Sequence, residues 1–349
     1  MTHNLTENII KPKPIKIGST AGIFTASSPA HIWFKEKYLH AIEQLNQNGF
    51  QVYEGNLTKQ FKSQSYRTAP PKERAAEFME LIENEKVDFL IATIGGFNSS
   101  SLLPYLDYHK IAQARKIITG YSDITSLHMG ILTQANLATF YGPAVIPTFG
   151  EWPIAFPESI ASFKQLAFKN DSPVKTLQSF PNWSNHFRNA LTEEWKSGTR
   201  NYFPNAGVKI LNSGIVEAPI IVANLNTLSA LAGTKYFPNL KSKILLIEEE
   251  QAPFTEEERS LTHLKLLGVF DDIVGLIIGK PEILDTKKAP FTYEDLILEI
   301  VGKRNYPIVS QFDCGHTHPS HTLAQMLKVK IEAENGNFKF EILEHAVED

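Results

Sequence analysis

The sequence predicts an α/β protein of two domains, and three observations carry that prediction. The chain has 349 residues, more than one domain of roughly 150 residues accommodates. Short apolar runs closed by glycine alternate with amphipathic segments in both halves, the pattern of βα units around a mainly parallel sheet. Between residues 148 and 206 that alternation fades, apart from a helical stretch at 157–169.

Each element follows from its residues. Residues 1–14 are polar with two prolines and read as a loose leader, with order beginning at the strand KIGSTAGIFTA (16–26). Phe34, Tyr38, Ile42 and Leu45 recur at helical spacing, and the Asn-Gly that follows is a helix stop. The strand FQVYEG comes next. Pro70 and Pro71 open a helix whose Ala75, Phe78, Met79 and Ile82 fall on one face. VDFLIATIGG (87–96) and KIITG (116–120) are buried strands, the second running straight into a helix from Asp123, and ATFYGPAV is the strand after it. Trp152, Trp183 and Trp195 lie among polar residues in the middle stretch, read as linker and mobile loop. Beyond 207, VKILNSGIVEAPIIV, SKILLIEE, DDIVGLIIGK and PIVSQFDCG alternate with helical segments, and KVKIEAENGNFKFEI is a hairpin turning at Asn335-Gly336. The expected division is therefore a leader (1–15), an N-terminal parallel-sheet domain of flavodoxin or Rossmann type (16–170), a linker and loop (171–206), and a C-terminal mixed-sheet α/β domain (207–349).

Composition narrows the function. With 42% hydrophobic and 21% charged residues, collagen-like and disordered classes are excluded. Thirty-four basic against 38 acidic residues give a net charge of −4, so charge makes no case for nucleic acid or an acidic membrane. A single cysteine, Cys314, rules out an internal disulfide and a cysteine-cluster zinc site. No N-terminal apolar core of a secretory signal is present, nor an apolar run near the ~18 residues of a membrane span. A cytoplasmic protein without cofactor, nucleic-acid partner or membrane partner is expected.

Four places carry chemistry. In KIITGYSDITSLHMGIL, Ser122 sits at a tight strand-to-helix turn beside backbone N–H groups that lack helical partners. That suits a nucleophile with the Asp123 N–H aimed at an oxyanion; it equally suits an N-cap. Gly95-Gly96 closes the neighbouring strand and offers a second oxyanion donor or a plain turn. Glu248, Glu249 and Glu250 follow a buried strand, where a carboxylate can orient a histidine or be solvated. In QFDCGHTHPSH, His316 is a candidate general base, while His316 and His318 with Asp313 or His321 are the alternative, a metal set for a metal-dependent hydrolase. Nothing marks Cys314 as activated, and it reads as a small buried hydrophobe.

Taken in order, eight segments carry a family resemblance: Ile17-Gly18 with Ser28-Pro29, ERAAEF, TIGGFNSS, GYSDIT, ANLNTLSALAGTKYFPNL, LLIEEE, IIGKPE and FDCGHTHP. With them the chain resembles the serine peptidase family of the LD-carboxypeptidases and microcin C self-immunity proteins. The resemblance implies a Ser122–Glu248–His316 triad with the nucleophile on the first domain and acid and base on the second. It also implies an oxyanion hole from Asp123 and Gly96, and a homodimer. Ile94-Gly95-Gly96-Phe97-Asn98 is similar to the immunity subgroup's form, in place of the R-G-G-Y-G usual in murein carboxypeptidases, and so is TEEWKSGTRNYFPN. This implies substrate contacts from Asn98, Asn224 and Glu282, with Trp195, or Trp183 behind it, stacking on an adenine. The implied substrate is an aminoacyl-nucleotide, or alternatively a small murein peptide.

Overall fold

The computed structural model describes residues 9–173, 175–186 and 188–349. The first domain is built on five parallel strands in the order Phe140–Tyr141, Ile117–Gly120, Phe89–Ala92, Thr20–Phe24, Gln51–Glu54. Strands Phe89–Ala92 and Ile117–Gly120 are buried along their whole length, as continuous apolar runs with helices on both faces must be. The helix Pro71–Glu83 starts with proline at its first position, where a missing N–H costs nothing, and buries Ala75, Phe78, Leu81 and Ile82. Phe78 meets Phe24 edge to face at 5.1 Å, and each such buried side chain contributes about 1.5–3 kcal/mol.

The second domain has an eight-stranded mixed sheet. Its centre is parallel, running Gly214–Asn224, Ile244–Glu248, Gly275–Gly279, Ile308–Phe312, and its flanks are antiparallel. The two-domain α/β expectation is met. VKILNSGIVEAPIIV divides into two strands: Lys209–Asn212 lies at the far edge beside Ile308–Phe312, while Gly214–Asn224 is central. The terminal hairpin forms as expected, with Asn335 (φ 51°) and Gly336 (φ 76°) supplying the two left-handed residues of the turn.

Three findings depart from the sequence pattern. Order begins before residue 16: Ile10 N–H donates to Asn136 O (2.8 Å), Lys13 N–H to Arg115 O (2.7 Å) and Ile15 N–H to Ala167 O (2.9 Å). Backbone pairing, invisible to composition, fixes this polar stretch; residues 1–8 lie outside the described residues. The chain also crosses between the sheets. Lys175–Leu177 adds an edge to the second sheet, and Leu323–Ala324 returns from the second domain to pair antiparallel with Phe140–Tyr141 of the first. Finally, the stretch expected as a mobile loop is anchored. Arg188 and Arg200 are buried and both pair with the buried Glu151 carboxylate at 2.9 Å. Ser184 exchanges two backbone hydrogen bonds with His318 (2.8 and 3.0 Å). Among the described residues no helix is long and apolar enough to cross a membrane.

Candidate active site

The ends of the parallel strands of both sheets converge, which is where open α/β sheets form crevices for ligands. Gly120 closes its strand, and Ser122 follows with φ 63°, a left-handed conformation that is unusual outside glycine and turns the chain sharply into a 3₁₀ turn and the helix Thr125–Ala135. The buried His128 braces this elbow, donating from Nε2 to Gly120 O (2.9 Å). Ser122 is no N-cap, since the helix that follows starts without a side-chain cap.

Glu248 is the last residue of its strand and is 2% exposed. His316 Nδ1–H donates to Glu248 Oε2 at 2.6 Å, which leaves Nε2 as the basic nitrogen. Tyr141 O–H donates to the other oxygen, Oε1, and the same phenol oxygen accepts the Ser122 N–H (3.1 Å). One hydrogen-bonded chain thus runs from the Ser122 backbone through Tyr141 and Glu248 to His316. The His316 ring also lies edge-on to Tyr121, centroids 4.9 Å apart. Burial alone would push the imidazole down, but the Glu248 charge and hydrogen bond, with Glu250 and Glu282 behind, hold it up at about 9. Gly315 permits this geometry: at φ 131° its missing side chain makes room for the Glu248 carboxylate.

Glu249 turns away. Its Oε1 accepts from Asn224 Nδ2 (2.9 Å) and its Oε2 from the Asn226 N–H (3.1 Å), as alternation along the chain requires of the next residue. Burial and then the Glu248 charge raise it to about 7. Asn224 caps the helix Leu225–Ala230 by accepting the Thr227 N–H (3.1 Å). Its amide is thereby committed at both ends within the protein.

The space above Ser122 is kept open by Gly95. A Cβ there would stand 2.9 Å from Ser122 Cβ, 3.1 Å from its Oγ and 3.2 Å from the Asp123 nitrogen. A side chain there would fill the space between Ser122 Oγ and the Asp123 nitrogen, the space an oxyanion formed by attack of that hydroxyl would need. Gly95→Ala is expected to lower kcat by about 10²-fold or more and to lower the thermal midpoint as well, because the clash with Ser122 Cβ forces one of them to shift; steady-state kinetics beside thermal unfolding check this. Gly96 (φ 145°) lies against Ser27 and Ser28, and the loop is tied to Ser122's turn because the Asp123 carboxylate accepts the Ser99 N–H (2.9 Å).

Of the other candidates, Glu282 is 8% exposed and is raised to about 7 by burial, with the His316 and Arg200 charges opposing and Glu250 and Glu248 adding to the rise. Asn98 is half-buried with its Oδ1 held by Arg74. Trp195 is placed otherwise than a stacking platform requires. It is 4% exposed, packed edge-on to Trp152 (6.0 Å) and near His40 (6.1 Å), with Lys196 Nζ over the ring at 5.1 Å. The Glu151–arginine pairs pull its loop inward, and no open face remains for a base. Trp183 is half-buried, faces Lys280 Nζ at 5.7 Å, and precedes the Ser184 that pairs with His318.

The histidine cluster separates. His318 stacks on Phe156 (4.1 Å), and His321 stacks on Phe180 (4.2 Å) with Nε2 donating to Gln178 O (3.0 Å). Burial lowers both. Asp313 is spent on Lys280, on Asn205 and on the Phe180 N–H. Among the described residues no three His, Cys, Asp or Glu side chains converge to hold a metal. Cys314 is buried and its thiol is pushed well up. Tyr141 was not singled out by sequence reasoning, because an aromatic at a strand end reads as core.

The two domains that meet at this site match one family. The LD-carboxypeptidase N-terminal domain matches residues 21–142 and the LD-carboxypeptidase C-terminal domain residues 217–331. The chain belongs to the LD-carboxypeptidase family. It is 37% identical to the microcin C7 self-immunity protein MccF of Escherichia coli, covering 93% of each chain, and 37% identical to a putative carboxypeptidase of Vibrio cholerae, covering 94% of this chain and 97% of that one. A probable murein peptide carboxypeptidase of Bacillus subtilis is 27% identical over 89% of this chain and 88% of its own. The solved structure of MccF in complex with aspartyl sulfamoyl adenosine superposes with a TM-score of 0.91 at 35% identity, covering 97% of this chain and 99% of that one. As a member of this LD-carboxypeptidase family the chain is a serine peptidase.

Proposed function

We propose that Ser122, His316 and Glu248 act as nucleophile, general base and orienting acid in hydrolysis of an amide-type bond at an aminoacyl group. The observation that carries this is the hydrogen-bonded chain from the Ser122 turn through Tyr141 and Glu248 to His316 Nδ1. In the proposed reaction His316 Nε2 takes the Ser122 proton as Oγ attacks the acyl carbon. The N–H groups of Asp123 and Gly96 receive the oxyanion, and protonated His316 then gives its proton to the leaving nitrogen. Water, deprotonated by the same imidazole, releases the acyl group.

For the substrate we propose an acidic aminoacyl residue joined to a modified nucleotide. Two facts support it: the 37% identity to MccF, and MccF structures solved with aspartyl sulfamoyl adenosine and glutamyl sulfamoyl guanosine. Glu282 fits this reading as the partner of the free α-ammonium, since a buried carboxylate raised to about 7 gains most from an incoming cation. Asn98, through its amide nitrogen, is a second contact. In the proposed base-stacking role Trp183 now stands ahead of Trp195, which is covered. A murein L,D-tetrapeptide is the alternative substrate, supported by the Bacillus subtilis relative. A cytoplasmic location and a homodimer belong to the same proposal.

A one-pot competition read by mass spectrometry tests it, with aspartyl sulfamoyl adenosine and a murein tetrapeptide offered together. Release of aspartate from the nucleotide is expected to dominate. Preferential loss of the terminal D-alanine would overturn the nucleotide reading and establish a murein carboxypeptidase.

A further inference from the structure

We infer that Arg74 is a positioning residue for the oxyanion site, acting through Asn98 on the loop that carries Gly95 and Gly96. The inference rests on the proposed serine mechanism. Arg74 is 1% exposed, and among the described residues it makes no ion pair. A buried guanidinium costs several kcal/mol unless its donors are all engaged. Here they are engaged by neutral oxygens: Nε donates to Ala69 O (2.9 Å), one terminal nitrogen to Ala26 O and Asn98 Oδ1 (2.6 Å for the latter), the other to Ser101 Oγ (2.9 Å). Apart from Ala69, which precedes Arg74's own helix, these acceptors lie on the chain just beyond the strand Thr20–Phe24 and on the segment that leaves Gly96.

Everything else at this loop is aligned with that grip. Ser27 Oγ accepts the N–H groups of Phe97 (2.9 Å) and Asn98 (3.1 Å), the Ser28 N–H donates to Gly95 O (3.2 Å), and Ser101 Oγ donates to Asn98 O (2.7 Å). Phe97 is 92% exposed, yet its own N–H and that of the next residue are both held by Ser27 Oγ. Arg74 closes the arrangement from behind, joining the Ser27 segment to Asn98. It thereby sets the direction of the Gly96 N–H without touching substrate. The planar fork is essential to this role, because a lysine ammonium cannot span Ala26 O, Asn98 Oδ1 and Ser101 Oγ together. With Asn98 Oδ1 committed to Arg74, the Asn98 amide nitrogen is the end presented to the substrate.

The test uses the full chain and a fluorophosphonate probe, which phosphonylates an activated serine and carries no aminoacyl group. Wild type is expected to label at Ser122, and Ser122→Ala not at all. Arg74→Lys is expected to label about 10- to 100-fold more slowly and to lose kcat by a similar factor, with KM within about threefold. Its thermal midpoint should fall, because buried acceptors lose their donors, so labelling is compared at a temperature where circular dichroism shows the variant folded. Asn98→Ala should slow labelling likewise, and adding Arg74→Lys to it should cost little more, since both act on one element. If Arg74→Lys does not fold, Asn98→Ala carries the measurement alone. Wild-type labelling rates in the folded variants, or effects of the two changes that multiply, would overturn the positioning role while leaving the triad intact. Failure of wild type to label at Ser122 would remove the serine mechanism and this inference with it.

Discussion

Ser122→Ala is expected to lower kcat by about 10⁴-fold or more while leaving the protein folded. The size follows from what one atom does: without Oγ no acyl-enzyme forms, and the oxyanion donors with bound substrate retain only residual catalysis. The fold should tolerate the change because the Ser122 side chain is not needed as a cap, and its N–H still reaches Tyr141. Alanine at φ 63° is strained to about the same degree as serine. Single-turnover kinetics with aspartyl sulfamoyl adenosine, beside circular dichroism and thermal unfolding, make the comparison. Turnover within tenfold of wild type would end the nucleophile assignment.

Glu248→Gln should cost about 10⁴-fold in kcat and, more tellingly, move the pH profile. In the wild type, kcat/KM requires neutral His316, so it should rise with pH along a limb centred near 9, where Glu248 holds the imidazole. Glutamine removes both the charge and the carboxylate hydrogen bond, leaving burial to dominate, so the limb should move to lower pH. Stability carries the same signature. A histidine raised in the folded state contributes stability that is fully present below its unfolded value near 6.5 and is lost as pH climbs through about 9. Wild type should therefore lose more stability across that window than Glu248→Gln, which has no such contribution to lose. Unfolding free energies measured at pH 6 and pH 9.5 decide the point, and equal slopes would sink the pairing.

The reach of sequence reasoning is visible residue by residue. Ser122, Glu248 and His316 could be singled out as candidates because each stands at or beyond the end of a buried strand, and strand ends are a topological address that apolar patterning reveals. The choice of Glu248 over Glu249 needed coordinates, since neighbouring residues on an extended chain point oppositely. In the sequence Arg74 stands among charged residues in PPKERAAEFMELIE, with nothing local to mark it as buried. Its burial depends on Asn98 and Ala26 arriving from distant segments. The burial of Trp195 was not legible for a related reason: it lies in polar sequence, yet Glu151 recruits Arg188 and Arg200 from that same sequence and the loop folds inward. The return of Leu323–Ala324 to the first sheet has no local signal at all, being two ordinary apolar residues in a run that fits many places.

That returning strand bears on how the protein is made. At about 5–20 residues per second, a ribosome that has just added Ser122 needs roughly ten seconds or more to reach His316. Leu323 and Ala324, which complete the sheet beside Phe140 and Tyr141, come later still. Throughout that interval the nascent chain carries Ser122 without His316 or the last strand of its own sheet. Under the proposed mechanism a polypeptide stalled before this point would be hydrolytically silent, since activity would wait for His316 and the returning strand.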